Sequence, residues 1–207
     1  MPVKINEREY REIRMKEIEI RDADNGEKIV EGYATTFNDE YKLWGDSTYE
    51  VRESIDRHAF DEADKSDVIM QYDHEGRVFA RTSNGTLQLV ADDHGLKIRA
   101  SLGGTEIGRQ LYEEIKGGYT TKMSFGFRVR KQERTEEEVD GKIIVHRKIT
   151  GIEKLYDVSA VSLPANDATE ISSRKIGEGV IAEIVQELQA REAREKQKQK
   201  IRIMMEV

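Results

Sequence analysis

Three turn sequences that separate runs of alternating apolar and polar residues constrain the fold of this chain most strongly. They are residues 24–26 (DNG), 92–95 (DDHG) and 140–141 (DG). Asn-Gly and Asp-Gly steps favour the left-handed backbone of tight hairpin turns, and a period of two is the pattern of a half-buried strand. The sequence therefore predicts three hairpins and an antiparallel sheet that closes or folds over on itself.

Two segments with a helical pattern interrupt the predicted strands. Apolar residues at positions 107, 111 and 115 follow a four-residue spacing, with Thr105 as the expected N-cap and Gly117 as the expected left-handed C-cap. Residues 54–64 predict a second, shorter helix.

The C-terminal segment differs in composition from the rest of the chain. Val180, Ile184 and Leu188 form one apolar stripe, and residues 191–200 (REAREKQKQK) are polar on every face. We predict an N-terminal extension at 1–16, a β-barrel domain at 17–176 and a helical, highly charged tail at 177–207. We interpret the tail as an element that docks on a partner; the alternative is that its helix packs on the chain's own domain.

Composition excludes several classes of function. A net charge of −7 argues against a nucleic-acid partner, because phosphate binding requires clustered positive charge. The 207 residues include no cysteine, which excludes disulfides, thiolate metal sites and a cysteine nucleophile. No apolar run has the length of a signal-peptide core or a membrane span, so we expect neither secretion nor a membrane partner.

Ser124, within residues 120–129 (TTKMSFGFRV), is the candidate nucleophile. A serine hydroxyl needs a base within hydrogen-bond reach. His74 is the best placed of the four histidines, because it ends a half-buried strand pattern at residues 67–74. Lys122, two residues from Ser124 on the same strand face, is a rival base, although its pKa would have to be strongly lowered.

The candidate acid is Asp157, which shares an apolar strand face in residues 155–166 (LYDVSAVSLPAN). A buried carboxylate needs a hydrogen-bond partner, and orienting a histidine would supply one; capping a turn or binding an arginine is the alternative. A metal site made of residues 73–75 (DHE) is a weaker hypothesis, because neighbours on a strand point to opposite faces. No metal or cofactor is predicted.

Six segments taken in order resemble a known family. They are EGYATTFN, VRESIDRHAFDEA, VIMQYDHEGRVFART, LQLVADDHGLKIRASL, GRQLYEEIKGGYTTKMSFGFRV and LYDVSAVSLPANDAT. Together they are similar to the prohead (capsid maturation) proteases of tailed phages, relatives of the herpesvirus assemblins, over residues 17–172. Two departures are His58, where the family more often has glycine, and the absence of the usual Pro-Leu-Gly after His74.

The resemblance implies a serine endopeptidase of mainly β, α+β class, with a closed antiparallel barrel of assemblin-like type and flanking helices. Its catalytic residues map to His74, Ser124 and Asp157. Because assemblins use a second histidine as the third member, His146 is a rival to Asp157, and Glu153 is a weaker one.

The resemblance also implies partners and a location. The expected substrates are the scaffolding part of the major capsid protein and the protease itself, cut inside the procapsid in the host cytoplasm. Homo-oligomerisation is left open. The alternative function is a non-catalytic β-barrel scaffold or assembly factor that binds the capsid shell.

Overall fold

A computed structural model describes residues 8–14, 19–22, 27–161 and 178–205. Strands and helices account for most of this part of the chain. They are β1 (Glu9–Arg14), β2 (Glu19–Asp22), β3 (Lys28–Thr36), β4 (Tyr41–Gly45), β5 (Tyr49–Ile55), β6 (Ile69–Tyr72), β7 (Glu75–Arg81), β8 (Leu87–Ala91), β9 (Gly95–Ser101), α1 (Glu106–Lys116), β10 (Lys122–Val139), β11 (Lys142–Val161) and α2 (Glu178–Met205), with a short 3₁₀ turn at Thr82–Asn84.

Two of the three predicted hairpins are confirmed. β8 pairs antiparallel with β9 across residues 92–94, and β10 pairs with β11 across the Asp140–Gly141 turn. Both of these turn residues have positive φ, 52° and 76°, as a two-residue hairpin turn requires. The predicted turn at 24–26 lies outside the described residues, although β2 and β3 on either side of it pair antiparallel.

The strands form two sheets whose apolar faces share one core. The larger sheet has the order β1-β10-β11-β5-β4, with β6 and β7 joined to it through β11, and the smaller has the order β2-β3-β9-β8. Phe125 and Leu155 from the first sheet and Val30 and Ile98 from the second are buried in the same cluster. The structure is therefore mainly β with helices, in agreement with the α+β prediction.

The predicted closed antiparallel barrel is not confirmed. Neither hydrogen-bonded sheet closes on itself within the described ranges. Two pairings are also parallel, because β11 runs alongside β5 at residues 143–149 and alongside β6 at residues 157–160. A parallel pairing needs a long connection between its strands, so turn signals alone do not predict it.

Helix α1 follows the prediction closely, whereas the helix expected at 54–64 is absent. The Thr105 side chain accepts a hydrogen bond from the Gly108 amide at 3.0 Å, which caps α1. The left-handed residue after α1 is Gly118 (φ 73°) rather than Gly117 (φ −79°). Residues 54–64 instead end β5 and continue as hydrogen-bonded turns.

Strand β1 lies within the predicted N-terminal extension, yet it is joined to the sheet by buried charges. Arg11 donates to Glu53 at 2.5 Å, and Arg147 donates to Glu9 at 2.8 Å and also to Glu53. Tyr41 adds a hydrogen bond to Glu53 at 2.6 Å. All four charged side chains are buried, so two arginines and two glutamates neutralise one another beneath β1.

Helix α2 packs its apolar stripe on the chain's own sheet. Val180, Ile184 and Leu188 are buried in a second cluster with residues of β4, β5 and β11, which are Leu43, Tyr49, Val51 and Val145. The alternative interpretation, in which the tail helix packs on the chain's own domain, therefore describes this stripe. The stripe is covered by the domain and is not available to a partner. Residues 193–204 of α2 are exposed. No helix among the described residues combines the length and apolar character needed to cross a membrane.

Candidate active site

The three residues singled out from the sequence meet at one end of the larger sheet. There the strand order is β1-β10-β11-β6-β7, with β11 in the middle. Ser124 lies on β10, Asp157 lies on β11, and His74 belongs to the turn between β6 and β7. Adjacent strands therefore bring together three side chains that are 33 to 83 positions apart in the chain.

A continuous hydrogen-bonded chain joins the three side chains. His74 Nε2 lies 2.6 Å from Ser124 Oγ, and His74 Nδ1 contacts Asp157 Oδ2. Ser124 and Asp157 are fully buried, and the His74 side chain keeps 17% of its surface exposed. In this order, a carboxylate holds one imidazole nitrogen so that the other can accept a proton from the hydroxyl.

The turn that carries His74 has an unusual backbone. Asp73 and His74 both have positive φ, 49° and 61°, between the paired residues Tyr72 and Glu75. Two consecutive left-handed residues make a tight hairpin turn, for which Asn-Gly is the usual sequence. The Asp73 amide donates to the Ala160 carbonyl at 2.9 Å, which fixes the turn against β11. Non-glycine residues in this conformation are found preferentially at functional sites.

Asp157 is held by more groups than His74 alone. Ser159 donates to Asp157 Oδ2 at 2.6 Å, and the Arg8 guanidinium contacts Asp157 Oδ1. Burial disfavours the charged carboxylate. The hydrogen bonds from His74 and Ser159 and the positive charge of Arg8 outweigh burial, so the pKa of Asp157 lies below its usual value. The group beside His74 is therefore an ionised carboxylate at neutral pH.

Two aromatic side chains complete the surroundings of Asp157 and His74. The Arg8 guanidinium stacks over the Tyr156 ring at 4.6 Å and over the Tyr10 ring at 5.0 Å. The Tyr10 ring packs edge-on against the His74 ring, with 4.4 Å between the ring centroids. Arg8, just before β1, therefore contacts the proposed acid, and Tyr10, within β1, contacts the proposed base.

Gly126 leaves the space that Asp157 and Arg8 occupy. It lies opposite Asp157 in the β10–β11 ladder. A Cβ atom built on Gly126 would lie 2.3 Å from Asp157 Oδ1 and 2.9 Å from Arg8 Nε. Any larger residue here would displace the carboxylate, which explains on steric grounds why the Ser-Phe-Gly-Phe segment has a glycine at this position.

His146 and Glu153, the two alternatives to Asp157 as the partner of His74, have other partners in the structure. His146 is bonded to Glu40 at 2.6 Å and Glu137 at 3.2 Å, and the bond to Glu40 raises the pKa of His146 although burial opposes it. It precedes Asp157 by eleven residues on β11, which is about 35 Å at strand spacing. Glu153 pairs with Arg128 at 3.5 Å.

The imidazole of His74 contacts the Ser124 hydroxyl, and the other candidates for the base have different positions. Lys122 lies two residues before Ser124 on β10. His58 is exposed and pairs with Asp61 at 2.9 Å, and His94 packs edge-on against Tyr33. For the metal hypothesis of residues 73–75, no group of three or more potential ligands occurs in the described part of the chain.

Comparison with known families decides which proteins this chain belongs with. The model of the caudovirus prohead serine protease family matches residues 14–180. The chain belongs to this family. Among solved structures, it is similar to the capsid assembly protease gp21 of bacteriophage T4, with 14% sequence identity and a TM-score of 0.43. That alignment covers 77% of this chain and all of the other. No curated protein sequence gives a significant match.

Three residues of the site were not expected from the sequence. Arg8 and Tyr10 lie before the part of the chain that matches the family, in the segment predicted as an extension. Ser159 lies two residues after Asp157 on the same strand face, and this spacing is the one signal that could have indicated it. For Arg8, 149 residues from Asp157, the sequence holds no comparable signal.

Proposed function

We propose that this member of the prohead serine protease family uses Ser124 as nucleophile, His74 as general base and acid, and Asp157 as the carboxylate that orients His74. The observation that carries the proposal is the chain of contacts from Ser124 Oγ through both imidazole nitrogens to Asp157. The family match supports the reaction class, and the geometry supports the roles.

The proposed reaction begins with proton transfer from Ser124 to His74. As the proton leaves Oγ for His74 Nε2, Oγ forms a bond to the carbonyl carbon of the substrate peptide. Collapse of the tetrahedral intermediate breaks the carbon–nitrogen bond, and His74 gives its proton to the leaving amine. Water, activated by the same histidine, then releases the acyl group from Ser124.

Asp157 has two tasks in this cycle. It fixes the tautomer in which His74 Nδ1 carries the proton, so that Nε2 faces Ser124 as an acceptor. Its negative charge then stabilises the imidazolium that forms after proton transfer. Arg8 and Ser159 hold the carboxylate in the geometry that both tasks need.

The proposed substrates are the scaffolding part of the major capsid protein and the protease itself, cut inside the procapsid in the host cytoplasm. The experiment is co-expression of the chain with the major capsid protein of its phage. Wild type should shorten the capsid protein, and Ser124→Ala should leave it intact while entering the procapsid. Equal cleavage by Ser124→Ala would overturn the proposed nucleophile.

A non-catalytic scaffold is the second candidate function. Its support is the covered position of Ser124, which has no exposed surface in this structure. A fluorophosphonate probe for activated serines separates the two. Covalent labelling of wild type and not of Ser124→Ala supports the protease, whereas procapsid assembly that is indifferent to Ser124→Ala, with no labelling or cleavage, supports the scaffold.

A further inference from the structure

A cavity of about 630 Å³ lies between the β6–β7 hairpin and helix α1. This volume is in the range of ligand pockets. Tyr72, Asp73, Glu75 and Gly76 from the hairpin line one side, and Ile107 and Glu114 from α1 are among the residues that line the other. Asp73 and Glu75 are the chain neighbours of His74, so the lining includes both residues that flank the proposed base.

The lining combines an apolar wall with negative charge. Its apolar side chains are Tyr72, Phe79, Ile107 and Leu111. Its charged side chains are three carboxylates and one guanidinium, from Asp73, Glu75, Glu114 and Arg77. An acidic ligand side chain would be repelled by the excess of carboxylates, and a basic one would be attracted by it.

We propose that this cavity is a substrate subsite for a lysine or arginine side chain close to the scissile bond. The methylene stem would lie along the apolar wall and the cationic head would reach the carboxylates, as long basic side chains do at protein surfaces. The proposal rests on the proposed function, because only a peptide held at Ser124 and His74 would present a side chain to the neighbouring cavity.

Glu114 is the residue at which to test the charge of this subsite. It is exposed on α1 and contacts none of Ser124, His74 and Asp157 by a hydrogen bond or ion pair that the structure shows. Glu113, the next residue along the helix, is a matched control. It is not part of the cavity lining and pairs loosely with Lys28 at 3.9 Å.

The experiment is cleavage of a mixture of synthetic peptides by wild type, Ser124→Ala, Glu114→Lys and Glu113→Lys, with the cut sites mapped by mass spectrometry. For wild type we expect lysine and arginine to be enriched on the order of tenfold at one position relative to the cut. Glu114→Lys should abolish or reverse this enrichment, and Glu113→Lys should preserve it.

The outcomes separate the subsite from the catalytic assignment. Cuts that depend on Ser124 but show no basic preference, or a preference that Glu114→Lys leaves unchanged, would overturn the subsite and leave the protease in place. Loss of the preference in both lysine variants would trace it to the overall charge of α1 and would also overturn the subsite. Absence of any cut that depends on Ser124, in peptides and in co-expressed capsid protein alike, would overturn both proposals.

Discussion

Replacement of Gly126 by alanine tests whether activity depends on the exact position of Asp157. The added Cβ would lie 2.3 Å from Asp157 Oδ1, whereas ordinary contact begins at 3.4 Å. The carboxylate must therefore move by about 1 Å, which is the difference between these two distances. A misplacement of this size in a catalytic constellation costs on the order of 100-fold in rate. We expect kcat to fall by about that factor.

The fold should tolerate the same substitution. Overpacking at a buried site costs about 1–3 kcal/mol, and the alanine also removes backbone freedom from the unfolded chain. Gly104→Ala is the control, because a Cβ there meets nothing within 4 Å. Peptide cleavage and thermal unfolding should be measured on both variants. Wild-type kcat in a folded Gly126→Ala enzyme would refute the reasoning, as would an equal loss in Gly104→Ala.

Three further predictions concern the acid, the buried charges and the C-terminal helix. Asp157→Asn should lower kcat on the order of 10⁴-fold with the fold intact, and His146→Ala should stay near wild type; the reverse result in a peptide-cleavage assay would transfer the role to His146. Glu53→Gln should lose about 3–5 kcal/mol in urea unfolding, because the two buried arginines would then share only the one carboxylate of Glu9. Burial opposes ionisation of Glu53, but Arg11 and Arg147 lower its pKa from 4.5 to about 2. The stabilising effect of the Glu53 carboxylate should therefore be complete above pH 4.5 and disappear as the pH falls towards 2. A plot of stability against pH that is equally steep in Glu53→Gln would contradict this. Leu188→Ala should destabilise the protein by about 2–5 kcal/mol, and an unchanged melting temperature would show that α2 does not stabilise the domain.

Local features of the fold could be predicted because their causes lie within a few residues. The Asp140–Gly141 turn needs two residues that tolerate positive φ, and Thr105 caps α1 with its own side chain. The prediction of a helix at 54–64 was wrong because contacts with distant residues decide the structure of this segment. Ile55 and Phe60 are fully buried in the main core, and packing there overrides a weak local helical pattern.

The same distinction between local and distant causes applies to the candidate active site. Ser124, His74 and Asp157 could be put forward as candidates because each stands in a segment similar to the family. Their contact depends on the parallel alignment of β6 with β11, for which neither strand carries a local signal. Arg8 shows most clearly what the sequence could not predict. A charged residue in a charge-rich segment is expected to be solvated, and only the fold places Arg8 beside a carboxylate 149 residues away. The sequence by itself determined which chemical groups are present and where the Asp140–Gly141 turn and the Thr105 cap form. Only the tertiary structure decided which charges are buried together, because that depends on pairing between distant strands.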